Sequence, residues 1–563
     1  MYAELQKTWT ELTSPGAPFE IREVTVNGQT LKAYASAPPS LREIWLGSAG
    51  HGERDYLVYE DERWTYADAH RDVASIANWL VAQGVGAGDR VAIAMRNYPE
   101  WMLLYWATLS IGATVVGMNA WWVGTEMVYA VEDSRPKVMV CDRERLERFL
   151  PHRAEAPSVL LVALRVTDPL PADVVPFSDL LAQGGALPPA TIDPDSDACI
   201  FYTSGTTGRP KGAQLTHRGC VNNLLSLAFW NAVQTIASQR AGRAAPAADG
   251  GQMAALVATP LFHVTANNCV AHGATAAGGK LVHMYKWDAG EALRLIERER
   301  VTNFSGVPTM ARELLAHPDF ATRDVSSLKA VGGGGAQLQP DLVTKIEGAN
   351  RGRASTGYGM TETCGIITAN TADFFVDKPA SVGPVMPCFE ARCVDAAGHD
   401  VGPNGVGELW VKGAQVIRGY LNRPESTAES ITDGWLHTGD IARIDEDGFV
   451  FIVDRAKDMV LRGGENVFCS EVETVIFEHP DVVECAVFAV PDPRLGEEVG
   501  AAVVLTEGST LTPEALREHC VAHMAKYKVP RYLWLRRELL PRNASGKFLK
   551  RELRDTLDPA TAV

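Results

Sequence analysis

A loop rich in hydroxyl groups and glycine lies between a short apolar run and a helical stretch. It reads Tyr202-Thr203-Ser204-Gly205-Thr206-Thr207-Gly208-Arg209-Pro210-Lys211-Gly212. The run 198–201 before it predicts a buried strand, and 222–229 after it has the pattern of a helix. In a strand–loop–helix arrangement, backbone N–H groups, hydroxyls and a lysine can surround nucleotide phosphates. The spacing is not that of a Walker A loop, and a plain surface loop is the alternative interpretation.

Four further groups of residues with chemical potential follow along the chain. They are Tyr358-Gly359-Met360-Thr361-Glu362, Gly434-Trp435-Leu436-His437-Thr438-Gly439-Asp440, Asp454-Arg455-Ala456-Lys457-Asp458 and Asn543-Ala544-Ser545-Gly546-Lys547. Each alone could be a core aromatic, a turn aspartate or a surface lysine. Together with the loop they resemble the adenylate-forming superfamily, which includes acyl-CoA synthetases, firefly-type luciferases and peptide-synthetase adenylation domains. The motifs occur in the family's order and span most of the chain.

The resemblance implies a nucleotide site built from the loop and the tyrosine motif. It assigns the β- and γ-phosphates to Thr203, Ser204, Gly205, Thr206, Thr207 and Lys211. It assigns adenine and the α-phosphate to Tyr358, Gly359, Met360 and Thr361, with Tyr358 stacking on the base. Glu362 is the implied Mg²⁺ ligand, because a hard cation prefers carboxylate and phosphate oxygens.

The same resemblance implies three more parts of the nucleotide site. The glycine run that ends in Gly334, Gly335 and Ala336 follows a strand-like stretch, 329–331, and lets the backbone approach adenine and the acyl pocket. Asp440 corresponds to the acid that binds the ribose hydroxyls. Arg455 corresponds to a second ribose or phosphate contact. Without the family pattern, a glycine turn and a turn aspartate would be the plain interpretation.

The acyl group is expected between two other segments. His263, in the stretch 260–263, corresponds to the residue that closes over the incoming carboxylate, although a lone histidine is more often structural. The segment 305–310 matches a family segment that lines the acyl pocket. The implied pocket residues are His263, Gly306, Val307, Met310 and Gly334. They carry no fixed charge, and desolvating a second charge on the substrate would be costly, so an apolar acid is predicted.

The resemblance assigns three positions near the carboxyl end to a mobile lobe. Lys547 corresponds to the lysine that reaches the carboxylate and α-phosphate during adenylation, which suits a compact charge on a flexible stem. The loop that contains Gly463, Gly464 and Glu465 corresponds to a second family element. In the family, that element replaces the lysine when the thioester forms and flanks the pantetheine of CoA. Lys457 corresponds to the hinge. The implied catalytic residues are Lys547, Thr361, Glu362 and His263.

These assignments predict an ATP-dependent acyl-CoA synthetase. A carboxylate is a poor acyl donor because oxide is a poor leaving group, and adenylation makes that oxygen part of a phosphate ester. The predicted reaction forms acyl-adenylate and pyrophosphate from ATP with Mg²⁺, then acyl-CoA and AMP with CoA. The segments 119–122, 260–263 and 305–310 most resemble the fatty-acid and medium-chain ligase branch. Two alternatives stay open: an adenylating enzyme that uses a carrier protein or another acceptor, and a non-catalytic nucleotide- or acyl-binding module.

Composition sets the broad class. The 563 residues exceed one ordinary core, and 46% hydrophobic with 22% charged residues is typical of globular proteins. A formal net charge of −16 disfavours nucleic acid and anionic membranes as main partners. The ten cysteines include no C-x-x-C pair and no signal-peptide pattern is evident, which favours a cytoplasmic enzyme acting on small molecules. Glycines interrupt the uncharged stretch 101–118, which predicts a buried helix and strand and no membrane span. The oligomeric state, a homodimer included, stays open.

The order of helical and strand-like runs predicts an α/β fold. Up to about residue 370, strand patterns such as 90–95, 137–141 and 159–164 alternate with helical ones, which favours layered units with parallel strands. Short strands bounded by Gly and Asp from 380 to 455 predict a small β-subdomain. With the family's architecture, a large AMP-binding domain, 1–455, has two α/β subdomains and a small β-barrel. A small mobile α+β domain, 458–563, is hinged near Lys457.

Three local predictions concern backbone geometry. Ser470 and Glu473 have the spacing of a capping box and predict the start of a helix. Thr512-Pro513 predicts the first turn of another. The stretch 238–251, rich in Ala, Gly and Arg, predicts a surface loop.

Overall fold

The computed structural model describes residues 1–203, 209–243, 251–335, 338–349, 351–463, 465–543 and 546–563. Within them the α-helices are Tyr2–Thr13, Leu41–Ser48, Tyr66–Ala82, Pro99–Ser110, Gly124–Ser134, Arg143–Phe149, Phe177–Ala182, His217–Arg240, His272–Ala276, Ala289–Glu299, Pro308–Ala316, Pro340–Gly348, Ala372–Asp377, Pro424–Ser430, Cys469–Phe477, Pro513–His523 and Lys550–Thr556. A π-helical segment, Thr265–Ala271, runs directly into His272–Ala276. The strands form four sheets and the hairpin Ile21–Val26 with Gln29–Tyr34.

The first large sheet has seven strands. In spatial order they are Lys211–Thr216, Asp197–Thr203, Thr114–Gly117, Arg90–Ala94, Val138–Asp142, Leu160–Leu164 and Val174–Pro176. All neighbours are parallel except the edge strand Lys211–Thr216, which is antiparallel. Val138–Asp142 is buried throughout, and its first four residues alternate between two apolar clusters. Burial on both faces explains why such strands are continuous apolar runs, and it confirms the predicted strands.

The second large sheet has eight strands and carries most of the candidate site. In spatial order they are Gly365–Thr371, Arg353–Met360, Ala330–Gly333, Asn303–Gly306, Ala254–Val257, Lys280–His283, Asp55–Tyr59 and Glu62–Thr65. The two edge strands are antiparallel and the six inner ones are parallel. The carboxyl ends of three neighbouring inner strands therefore meet at one edge, where ligands of open parallel sheets bind.

The predicted small β-barrel corresponds to a six-stranded antiparallel sheet. Its strands are Gly383–Pro384, Phe449–Arg455, Trp435–Ile444, Gly407–Gly413 and Phe389–Val394 in spatial order, with Ile431–Thr432 paired to Trp435–Ile444. Gly407–Gly413 alternates between buried and half-buried positions, as expected when one face packs on a core. The long strands Trp435–Ile444 and Phe449–Arg455 lead from this core to the candidate site.

Residues 458–563, called here the small lobe, contain a five-stranded sheet. The order is Glu465–Val467, Val460–Arg462, Gly496–Leu505 and Val482–Asp492, with Tyr532–Arg536 parallel to Gly496–Leu505. Separate apolar clusters cover its faces: one includes helices Cys469–Phe477 and Pro513–His523, and the other includes Trp534 and Leu553. This mixed arrangement agrees with the predicted α+β class.

The backbone corrects one local prediction and confirms others. Ser470 does not cap a helix, because Cys469–Phe477 already includes it, and its hydroxyl donates to the Val453 carbonyl. Glu473 is equally engaged elsewhere: it accepts from the Val487 N–H over 2.8 Å. The Thr512 cap is confirmed, since its hydroxyl accepts from the Ala515 N–H.

The structure corrects one prediction that rested on composition and confirms another. The predicted loop 238–251 begins too early, because helix His217–Arg240 continues through residue 240; residues 244–250 lie outside the described part of the chain. The stretch 101–118 is a buried helix, Pro99–Ser110, followed by strand Thr114–Gly117, as predicted. Across the described ranges, no helix is long and apolar enough to cross a membrane.

Candidate active site

Three strand ends form the floor of the candidate site. Gly306 and Gly333 are register partners in neighbouring parallel strands, and Gly333 pairs in turn with Thr356. The backbones lie so close that a Cβ on Gly333, where φ is 143°, would stand 2.1 Å from the Gly306 carbonyl oxygen. Only glycine tolerates this approach, which explains the glycine run that the sequence shows here.

The predicted phosphate loop is anchored by a hairpin. Thr203 and Lys211 are register partners at its base. The four loop residues between them that were assigned to phosphates, Ser204, Gly205, Thr206 and Thr207, lie outside the described residues. The Lys211 Nζ lies 5.2 Å from the centre of the Tyr420 ring, a cation–π contact. The Tyr420 hydroxyl donates to Glu362 Oε1 over 2.9 Å.

Tyr420 is a site residue that sequence reasoning missed. It connects Lys211 with Glu362 although the three positions are far apart in the chain. Burial, with the Glu362 charge beside it, raises the pKa of the Tyr420 phenol above its usual range, so the hydroxyl stays a donor. No local motif marks this tyrosine, and only the fold brings it to the site.

Asp440 is the centre of the predicted ribose site. It is 3% exposed and accepts a hydrogen bond from the Tyr358 hydroxyl over 2.6 Å. Arg455 Nε lies 3.1 Å from its other oxygen, in an ion pair whose arginine is 45% exposed. Asp440 and Arg455 are register partners in adjacent strands. The structure therefore brings together the predicted adenine, ribose and second ribose or phosphate residues.

Lys547 enters this arrangement from the small lobe. A Cβ placed on Gly335 would lie 3.4 Å from the Lys547 Cε, so the lysine side chain passes over the end of the glycine run. Burial lowers the pKa of Lys547 to about 8, and the positive charge of Arg455 lowers it too, against the opposing effect of Asp440 and Glu362. A buried lysine that has a lowered pKa and interacts with carboxylates and an arginine is typical of a functional position.

His263 lies close enough to Lys547 for their charges to interact. Burial, followed by the Lys547 charge, lowers the pKa of His263 to about 4, so the imidazole is neutral at physiological pH. Its Nε2 is buried and has no hydrogen-bond partner among the described residues. Buried polar atoms are normally paired, and an unpaired nitrogen next to Lys547 fits a ligand contact of the kind that the family resemblance implies.

The predicted acyl segment lines the same corner. Val307 and Met310 are buried, at 5% and 8% exposure. A Cβ on Gly306 would stand 3.0 Å from the Phe304 ring and 3.1 Å from the Met310 sulfur, so both side chains flank this glycine. Gly334 lies against the Gly357 carbonyl. The side chains nearest to Gly306 are therefore apolar.

The predicted CoA loop makes its described contacts within the small lobe. Gly463 is exposed and its N–H donates to the Leu495 carbonyl over 2.8 Å. Glu465, also exposed, pairs with Arg462 across a short hairpin. These partners belong to the small lobe. Gly464 and Ala336 lie outside the described residues, and Lys457 stands in an exposed turn after strand Phe449–Arg455.

The donor set around Glu362 fits a metal that arrives with a nucleotide. Among the described residues, no group of three or more His, Cys, Asp or Glu side chains could hold a metal ion. Glu362 presents one half-buried carboxylate, which is linked through Tyr420 to the hairpin that anchors the predicted phosphate loop. Mg²⁺ is usually held by one or two carboxylates plus substrate phosphates and water. Glu362 is therefore suited to Mg²⁺ bound together with ATP.

Several polar contacts hold the small lobe against the large domain. Thr474 donates to Gln339 Oε1 over 2.8 Å. Arg542 lies 3.5 Å from Glu313 in an ion pair, and the Arg312 guanidinium stands 5.0 Å from the Phe477 ring centre. These contacts, which no sequence motif indicated, keep Lys547 at the site.

Comparisons with known proteins agree with this arrangement. A family model described as AMP-binding enzyme matches residues 46–421, and one described as AMP-binding enzyme C-terminal domain matches residues 471–547. A feruloyl-CoA synthase from Amycolatopsis sp is 37% identical over 494 residues, covering 87% of this chain and 93% of its own. A long-chain-fatty-acid–CoA ligase from Bacillus subtilis (strain 168) is 32% identical over 545 residues, covering 91% and 94%.

Solved structures give the same answer. The anthranilate CoA ligase AuaEII in complex with anthranoyl-AMP superposes with a TM-score of 0.83 at 25% identity, covering 92% of this chain and 97% of that one. The first family model alone spans more than half of the chain. The protein therefore belongs to the AMP-binding enzyme family, in the acyl-CoA synthetase branch of AMP-forming acid–thiol ligases.

Proposed function

We propose that this enzyme activates an apolar monocarboxylic acid as acyl-adenylate, releasing pyrophosphate, and then transfers the acyl group to CoA, releasing AMP. The observation that carries the proposal is the position of Lys547. This lysine of the small lobe lies over Gly335, and its charge interacts with Asp440, Arg455 and Glu362. One cation is thus available to the carboxylate of the acid and to the α-phosphate of ATP.

In the first step a carboxylate oxygen attacks the α-phosphorus, and the bond between that phosphorus and the leaving pyrophosphate oxygen breaks. Positioning and electrostatic stabilisation account for most of the acceleration in such phosphoryl-type transfers. Lys547 would orient the two anions, with Thr361 at the α-phosphate, while Thr203 and Lys211 receive the leaving phosphates. Mg²⁺, when bound with ATP through Glu362, would supply further positive charge.

In the second step the CoA thiolate attacks the carbonyl carbon, and the bond to the AMP oxygen breaks. The carbon that Lys547 covered must now admit a thiol. We infer that the lobe 458–563 rotates on the domain 1–455 about a hinge at Lys457. The loop with Gly463, Gly464 and Glu465 would then replace Lys547, because one lobe cannot present both ends at the same place.

The proposed substrates are acids with an apolar tail, either aromatic or medium- to long-chain aliphatic. The buried Val307 and Met310 and the flanking Phe304 support this class. The relatives include both types: one is named feruloyl-CoA synthase and another long-chain-fatty-acid–CoA ligase. Amino acids and dicarboxylic acids would bring a second charge that these residues leave unpaired.

The test is AMP release over a panel of straight-chain, branched, aromatic and polycyclic acids with ATP, Mg²⁺ and CoA. We expect the highest kcat/KM with an apolar monocarboxylic acid and no AMP release without CoA beyond the first turnover. An amino acid as best substrate would contradict the substrate class. Turnover with a carrier protein but not with CoA would contradict the acceptor. Absence of acid-dependent pyrophosphate exchange would contradict adenylation itself.

A further inference from the structure

Two fully buried asparagines lie behind the candidate site and are joined by a hydrogen bond. Asn223 is on helix His217–Arg240, which directly follows the strand that carries Lys211. Asn268 is in the π-helical segment that follows His263. The Asn223 side-chain N–H donates to the Asn268 carbonyl oxygen over 3.2 Å. π-helical turns are frequent at functional sites, and here one faces a second element of the site.

Both asparagines also bind the chain just after Glu362. Asn268 Nδ2 donates to the Cys364 carbonyl over 2.9 Å, and Asn223 Oδ1 accepts from the Ile366 N–H over 2.9 Å. Cys364 ends the 3₁₀ turn that contains Glu362, with a φ of 54°. Gly365 fits closely between the two amides: a Cβ there would lie 2.2 Å from Asn223 Oδ1.

The orientation of the Asn268 amide is fixed at both ends. Its Oδ1 accepts from Asn267 Nδ2 over 2.8 Å, while its Nδ2 is bonded to Cys364. Asn267 Oδ1 in turn accepts from the buried Trp101 Nε1 over 3.3 Å. Each of these two hydrogen bonds matches a donor with an acceptor, so a flipped amide would lose both.

We propose that Asn268 and Asn223 are positioning residues for Mg²⁺·ATP, which set the place of Glu362 relative to Lys211 and His263. The inference rests on the proposed function, because it takes Glu362 as the metal ligand. The segments that carry these three residues are distant in sequence and meet at the two amides. Close-packed interiors transmit small displacements, so loss of one amide should move the Glu362 turn and leave the ribose residue Asp440 in place.

The test compares two ligands in equilibrium titrations without any acid substrate: Mg²⁺·ATP, and AMP without metal. Asn268→Ala should weaken Mg²⁺·ATP about tenfold, the lower range for loss of a group that orients a metal ligand, and change the Kd of AMP less than about twofold. The matched control is Asn370→Ala. Asn370 is equally buried and lies on strand Gly365–Thr371, but its amide donates to Ser381 over 3.0 Å, away from Glu362. It should change neither Kd while lowering Tm similarly.

A second variant keeps the inference testable if Asn268→Ala does not fold. Burial raises the pKa of a carboxyl group, so in Asn268→Asp the neutral acid can accept from Asn267 and donate to Cys364. Its Mg²⁺·ATP affinity relative to the natural protein should improve as the pH falls below the pKa of the new carboxyl. A purely structural role predicts no such pH dependence.

The outcomes separate this inference from the proposed function. Equal weakening of AMP and Mg²⁺·ATP in Asn268→Ala, or weakening of Mg²⁺·ATP by Asn370→Ala, would overturn the positioning role. An Asn268→Asp variant that folds and keeps a reduced Mg²⁺·ATP affinity at every pH, including below the pKa of the new carboxyl, would overturn it as well. By contrast, natural protein that binds Mg²⁺·ATP but forms no adenylate with any acid of the panel would contradict the proposed function, and the two dissociation constants would still test the asparagines.

Discussion

Lys547 and the Gly463 loop, the two ends of the small lobe, have different partners. Lys547 lies over Gly335 at the candidate site, whereas Gly463 and Glu465 are exposed and paired within their own lobe. Both ends are assigned to the same reacting carbon by the proposed function. Under the proposed function, this difference in partners corresponds to the arrangement for adenylation, and thioester formation needs another.

The lobe interface has the character of a contact that can be broken. The Arg542–Glu313 pair is partly exposed, at 20% and 40% of the two side chains, and exposed ion pairs contribute only about 0–1 kcal/mol. The remaining links include side-chain hydrogen bonds from Thr474 to Gln339 and from Ser470 to the Val453 carbonyl. Interfaces of this kind permit relative motion of domains, which the comparison of the two ends requires.

The largest expected effect comes from removing the lysine. Lys547→Ala should slow adenylate formation by about 10²–10³-fold, the usual cost of losing one electrostatic stabiliser of a transition state. It should leave the conversion of pre-made acyl-adenylate and CoA to thioester nearly unchanged. Single-turnover assays of both half-reactions measure this. Equal slowing of both half-reactions would mean that Lys547 does not act in adenylation alone.

A smaller loss is expected at the metal ligand. Glu362→Gln should lower adenylation by about 10²-fold, because an amide is a weaker ligand for Mg²⁺, and EDTA should abolish the same half-reaction in the natural protein. Glu425→Gln, on an exposed helix, is the control. Full adenylation by Glu362→Gln at limiting Mg²⁺ would remove Glu362 from this role.

A substitution at the proposed hinge should mainly slow the second half-reaction, thioester formation. Lys457→Pro should slow thioester formation roughly tenfold and adenylation less, because proline fixes φ where the lobe must turn. Lys457→Ala removes the same charge without fixing φ and is the matched control. Similar rates in the two variants would show that the side chain, and not backbone rotation, matters at this position.

The smallest effect at neutral pH concerns the charge of Lys547. Its pKa is lowered to about 8, so it is mostly protonated below that pH and loses its charge as the pH rises through it. The kcat/KM for adenylation should fall about tenfold per pH unit above this value. Lys547→Arg should lose the alkaline fall, because a guanidinium stays charged. His263 should add no acidic limb near neutrality, since its pKa is about 4.

Short-range patterns predicted much of the fold, whereas the site assignments came from the resemblance to the adenylate-forming superfamily. Buried parallel strands such as Val138–Asp142 are recognisable because both faces are apolar. The capping prediction at Ser470 was wrong because tertiary contacts decide the matter: its hydroxyl bonds Val453, and Glu473 bonds Val487. Local spacing could not show that these side chains had other partners.

The contacts that complete the site could not be predicted in the same way. Tyr420 meets Glu362 across 58 positions, and Asn268 meets Cys364 across 96. Such pairs depend on how sheets and helices pack, and a single sequence carries no periodic signal for them. Which end of the small lobe meets the site, Lys547 or the Gly463 loop, is likewise set by lobe orientation, which neither motif specifies.

One measurement tests most directly whether the small lobe must rotate between adenylation and thioester formation. A Cβ on Gly546 would lie 3.9 Å from the Val307 Cβ, within the range for a disulfide. The φ of 82° at Gly546 strains a cysteine there, but Val307→Cys/Gly546→Cys should still lock the lobe in the present arrangement when oxidised. The reduced double variant, which must catalyse both steps, is its own control. We predict that the oxidised enzyme forms one equivalent of acyl-adenylate and pyrophosphate, and releases acyl-CoA only after reduction. Formation of acyl-CoA at the same rate by the oxidised and reduced forms would contradict the account.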